Sequence, residues 1–148
     1  MADTDLKPQD AATEVEEYIV VAEDSAPNRN ILVHLIKRFG YKVLDFENGE
    51  KAWEGLQAST DKNIVAVLSD IMMPNMSGIE LLKKIRENEK LKAMPVVLIT
   101  AVTEKEYIVE AKELKVNGYI LKPVTSERIK TKLKELFPNK NFVTKLAG

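Results

Sequence analysis

The sequence has no cysteine and a single histidine, His34. The first absence excludes a disulfide framework, a thiolate zinc site and a cysteine nucleophile; the second excludes a multi-histidine metal site within one chain. There is no surplus of positive charge, with 22 Lys and Arg against 23 Asp and Glu, so the global field that draws proteins to nucleic acid is missing and DNA is not an expected partner. No apolar stretch approaches the ~20 residues that cross a bilayer, and the N-terminus lacks the basic-then-apolar pattern of a signal peptide. A cytoplasmic protein without membrane insertion is expected. What is present, 148 residues that are 45% hydrophobic and 30% charged, suits one globular domain with a real core and excludes two full ones.

The charge is unevenly placed. Residues 1–17 carry six acids and one lysine, net -5, with no hydrophobic period, and read as a disordered acidic tail. The remainder is net +4, mostly from a C-terminal stretch in which Lys122, Arg128, Lys130, Lys132, Lys134, Lys140 and Lys145 face only Glu127 and Glu135. A folded domain is expected over 18–137. Residues 138–148 read as a short mobile tail with little to pack.

From Tyr18 onward, short apolar runs alternate with longer stretches of helical period, the pattern of βα units around a parallel sheet. The spacing predicts five strands, Tyr18–Ala22, Lys42–Phe46, Val65–Ser69, Val96–Ile99 and Tyr119–Leu121, with the charge-bearing KVLDF segment at an edge. Ile31, Leu32, Leu35, Ile36 and Phe39 form the apolar stripe of the first helix, which Gly40 stops, and Ile129, Leu133, Leu136 and Phe137 form that of the last. Ser77 with Glu80, and Thr103 with Glu106, fit the capping box. Right-handed crossovers then give a doubly wound α/β sheet with helices on both faces and ligands at the C-terminal strand ends.

The residues at those ends carry the chemistry. Glu23 and Asp24 follow the first strand, Asp70 the third, Thr100 and Ala101 the fourth, Lys122 and Pro123 the fifth. Parallel strands bring three carboxylates, a hydroxyl and an ammonium to one crevice. Crowded carboxylates repel unless a counter-charge joins them, and an all-oxygen ligand set points to a hard dication, Mg²⁺ above others. The competing explanation is that each acid merely caps a helix N-terminus.

The segments VVAEDSAPNR (20–29), LSDIMMPNMSGIELLKKIR (68–86), VVLITA (96–101) and NGYILKP (117–123) resemble the receiver domains of two-component response regulators, including the single-domain chemotaxis type. The resemblance covers residues 18 to about 137 and implies the flavodoxin-like strand order 2-1-3-4-5, for which a receiver is a standard example. It further implies Asp70 as phosphoacceptor and Mg²⁺ held by Glu23, Asp24, Asp70 and the Met72 backbone carbonyl. Thr100 and Ala101, Tyr119 and Lys122 would bind the phosphoryl group and switch, and the Lys122–Pro123 bond would be cis. The implied donor is a phosphohistidine on a histidine kinase or phosphotransfer protein. The changed surface would be 104–137, serving an unknown output protein, with the chain a monomer or a phosphorylation-dependent dimer. Glu23 departs from the commoner Asp-Asp pair. Pro74 and Gly78 are read as shaping the loop after Asp70. Met72 and Val102, unable to hydrogen-bond an attacking water, imply slow self-dephosphorylation.

A stand-alone receiver that is no enzyme beyond its own phosphorylation and dephosphorylation is therefore expected, since no output domain follows residue 137. The alternatives are a Mg²⁺-dependent phosphohydrolase, which needs a second acid where this chain has Met72, and a receiver-like module that works without phosphorylation. His34 lies opposite its helix's apolar stripe and reads as solvent-facing, Trp53 as packing at the core edge, and Lys83–Lys92 as a solvated helix end.

Overall fold

The structure, a computed structural model, describes residues 15–101 and 105–142. Ten elements alternate: β1 Glu17–Ala22, α1 Ala26–Arg38, β2 Lys42–Phe46, α2 Gly49–Ala58, β3 Asn63–Asp70, α3 Gly78–Glu87, β4 Val96–Thr100, α4 Lys105–Glu113, β5 Gly118–Leu121 and α5 Ser126–Leu136. All strand pairs are parallel, in the order β2-β1-β3-β4-β5. The expected topology is therefore found, with KVLDF as an edge strand.

Strand alternation divides the core in two. Ile19 and Val21 of β1 pack with Leu32, Ile36, Ile129 and Leu133, beneath α1 and α5. Val20 and Ala22 point the other way, against Ala52, Leu56, Leu82, Ile85 and Ala111 of α2, α3 and α4. Three layers result, and β1, β3 and β4 are apolar on both faces because both are covered.

Local signals set the helix ends. Ser25 accepts the Asn28 N–H at 3.4 Å to start α1, and Gly40 ends it at φ +100°. The Ser77–Glu80 capping box forms both reciprocal bonds, at 3.1 and 2.8 Å. The Thr103–Glu106 box involves Thr103, which lies outside the described residues.

Four expectations need correction. Ile31 does not join the α1 stripe: it is 52% exposed, because α1 turns that side toward a groove and not toward the sheet. Glu17, assigned to the tail, is the first residue of β1 and pairs with Asn63. Phe142, assigned to the mobile C-terminal tail, is 5% exposed, its ring edge-on to Phe39 at 6.3 Å and tilted on Tyr41 at 6.2 Å. These ring contacts hold Phe142 against the core. Finally, Lys83–Lys92 is not simply solvated. Arg86 reaches out of α3 to the carbonyls of Leu114, Lys92, Met94 and Lys115 and to Asn117 Oδ1, at 2.7–3.0 Å. Its planar five-donor fork matches a cage of carbonyls as a lysine cannot.

Four of the strands also run longer than predicted, while β2 keeps its expected bounds. Asp70 and Thr100 are the last residues of β3 and β4, so their backbones are held in the sheet and not in the loops.

Candidate functional site

Register places the site. Ala22 pairs with Phe46 on one side and Ser69 on the other, so the next residues, Glu23 and Asp70, emerge side by side. Asp70 pairs with Ile99 and Thr100 with Leu121, and the Lys122 N–H bonds the Thr100 carbonyl at 3.0 Å. The structure thus brings Glu23, Asp24, Asp70, Thr100 and Lys122 to one sheet edge. Carboxylate oxygens of Glu23, Asp24 and Asp70 lie within 4.8 Å of one another. Lys122 Nζ donates to Asp70 Oδ2 at 2.9 Å.

Burial makes this arrangement expensive. Glu23 is 2% and Asp70 4% exposed, Asp24 is exposed, and Thr100 is fully buried with its hydroxyl donating to the Ala101 carbonyl at 3.0 Å. Burial pushes the Glu23 carboxyl up from its ordinary 4.5 to about 7; the Ser25 N–H opposes this and the Asp70 charge adds to it. For Lys122, burial pulls down, but the hydrogen bond and charge of Asp70, with Glu23 and Asp24 behind it, win and hold the ammonium above its ordinary range. The cluster has too much negative charge for one lysine to neutralise, and it offers oxygen donors only. Both features fit a hard divalent cation.

The remaining predicted residues are distributed as follows. The Met72 side chain is 52% exposed, while its neighbour Ile71 is fully buried. After Pro74 the chain turns through Asn75 at φ +69°, with the Met76 N–H bonding the Pro74 carbonyl at 2.7 Å. Gly78 is required by close approach: a Cβ there would sit 2.2 Å from the Asp70 carbonyl oxygen. Tyr119 is half-buried and donates its hydroxyl to the Ile108 carbonyl of α4 at 3.1 Å. The Lys122–Pro123 peptide is cis. Val102 lies outside the described residues. His34 is exposed and Trp53 half-buried against the α2–α4 core, as expected. Beside the acids, a groove of about 480 Å³ runs between α1 and the β5–α5 connection, lined by Glu23, Asn28, Ile31, Leu32, Lys122, Pro123 and Val124.

Sequence reasoning missed Ser25 and Arg29. Ser25 gives its N–H to Glu23 Oε2 at 3.0 Å, and Arg29 Nη1 donates to the Glu23 carbonyl at 2.8 Å. A serine two residues before Pro27 was a readable cap signal; nothing in the pattern announced Arg29.

The model of the response regulator receiver domain family matches residues 19–134. The chain belongs to that family. It is 37% identical over 116 residues to chemotaxis protein CheY1 of Helicobacter pylori, covering 78% of this chain and 92% of that protein. To chemotaxis protein CheY-3 of Vibrio cholerae it is 39% identical over 122 residues, covering 80% and 90%. Among solved structures, Vibrio cholerae chemotaxis protein CheY4 superposes with a TM-score of 0.74 at 26% identity, over 82% of this chain and 98% of that one. The matched region fills 90–98% of those relatives' own length, and the family is that of the receivers of two-component signalling. No helix among the described residues is long and apolar enough to cross a membrane.

Proposed function

We propose that this receiver is a phosphorylation-controlled switch in which Asp70 accepts a phosphoryl group from a phosphohistidine of a histidine kinase or phosphotransfer protein. The observation that carries the reading is the buried Asp70 carboxylate, bonded to Lys122 at 2.9 Å with Glu23 and Asp24 beside it. A carboxylate oxygen of Asp70 attacks phosphorus, the P–N bond breaks, and the imidazole nitrogen leaves with the electron pair. Lys122 stays near the transferring oxygens and offsets charge gathering there. Glu23, Asp24, Asp70 and the Met72 carbonyl would hold Mg²⁺. When bound, the ion supplies charge neutralisation for acceptor and phosphoryl group.

Roughly two new negative charges at Asp70 then recruit Thr100 and Lys122. Tyr119 links this event to α4 through the Ile108 carbonyl, and the 104–137 surface changes for an output protein. Met72 shields the phosphoryl group from water and so lengthens its life.

Intact-mass measurement after incubation with acetyl phosphate and MgCl₂ tests the proposal. One phosphoryl adduct is expected, dependent on the metal and absent in Asp70→Asn. An adduct of equal yield in that variant would move the acceptor elsewhere.

A further inference from the structure

Three carboxylates held within 4.8 Å push one another apart, and two of them ride on the β1–α1 loop. A loop has fewer backbone restraints than a strand, so something must hold this one in place before any cation arrives. Lys122 binds Asp70, on the strand side of the cluster, and does nothing for the loop's backbone.

We infer that Arg29 is the positioning residue that braces the loop for metal capture. The guanidinium bridges three elements. Rooted in α1, it donates from Nη1 to the backbone carbonyl of Glu23 at 2.8 Å, and its Nε meets Asp45 Oδ2 of β2 at 3.3 Å. The Glu23 N–H is tied to the same strand, at the Phe46 carbonyl, at 3.0 Å. Both backbone polar groups of Glu23 are therefore fixed while its carboxylate stays in the cluster. Arg29 is only 19% exposed, against 42% for Asp45, so the fork is held mostly out of water, where such bonds are strong. It touches none of the three clustered carboxylates' oxygens in any described bond, and acts through the loop.

This inference rests on the proposed magnesium site, and its sign separates it from a plain charge effect. A cation near the cluster repels another, so if Arg29 mattered only through charge, removing it would tighten magnesium binding. A brace predicts the reverse. Removing it lets the acids relax apart, and the ion must then gather them; outer partners of metal ligands commonly contribute 10-fold or more in affinity.

Calorimetric titration with MgCl₂ of the wild type, Arg29→Met, Arg29→Lys and Asp45→Asn decides the matter. Arg29→Met is expected to bind about 10-fold more weakly. Arg29→Lys is expected to behave almost as poorly, because an ammonium cannot bridge the carbonyl and Asp45 together. Asp45→Asn, which leaves the arginine in place and serves if Arg29→Met does not fold, is expected to lose about threefold, in line with a partly exposed pair. In acetyl phosphate reactions the loss should appear in the magnesium concentration giving half-maximal adduct formation and not in the maximal rate. Equal or tighter binding by Arg29→Met, or by Asp45→Asn if that variant alone folds, would overturn the brace. So would full rescue by lysine. A wild type that takes up no magnesium at all would instead overturn the metal site itself, and the brace with it.

Discussion

The two edges of this sheet solve opposite problems. At the C-terminal edge, Glu23, Asp70 and Thr100 are buried polar groups, kept there by Lys122, Ser25 and Arg29. At the N-terminal edge Phe39, Tyr41, Phe137 and Phe142 close the core beneath α1 and α5, and Lys140 lies 5.1 Å over the Tyr41 ring while pairing with Glu17 of β1. One end spends stability on charge that has a use; the other recovers it by burying aromatic surface. Function and fold are thereby separated along the strand direction, and each end should be damaged independently.

The largest expected effect that tests this separation is at the aromatic end. Phe142→Ala should cost about 3 kcal/mol, the range for truncating a buried phenylalanine, and lower the denaturation midpoint without changing magnesium affinity. A loss of magnesium binding in the folded variant would show that the edges are coupled.

At the acidic edge the prediction concerns pH. The Glu23 pKa of about 7 lies above its ordinary 4.5, so the folded state favours the protonated form. Its stabilising contribution is complete below pH 4.5 and is lost as pH rises through 7. In metal-free buffer, the melting temperature of the wild type relative to Glu23→Gln should therefore decline across that window, because the amide cannot ionise. Parallel curves for the two proteins would contradict the assignment.

The smallest effect returns to the aromatic end. The Tyr41 hydroxyl is buried with no hydrogen-bond partner among the described residues, and burial pushes its pKa up to about 12. Tyr41→Phe should remove that penalty and stabilise the protein by about 1 kcal/mol, read from chemical denaturation. Destabilisation of that size would mean the hydroxyl is bonded in solution.

The comparison also explains what could be read from the sequence. Unbroken runs such as VVLI and the strand-end residues Asp70 and Lys122 are local signals, because parallel pairing fixes where each strand's end goes. The convergence of the acids was legible for that reason, whereas the sheet order came from the family likeness. Arg29, Arg86 and Phe142 were not, since each matters through partners 6 to 31 residues away or at a distant edge. Ile31 misled because helical spacing gives a face, and only packing shows how far the covered face extends.

Gly78 brings a final consequence. Its N–H returns to the Ile71 carbonyl at 2.9 Å while its bare Cα presses on the Asp70 carbonyl, so the segment between forms a closed ring pinned at the acceptor itself. The exposed Met72 side chain can be exchanged without disturbing that ring, whereas one inserted or deleted residue would break the closure. Variation among descendants of this chain should accordingly be tolerated at Met72 as substitution and refused across the ring as a change of length.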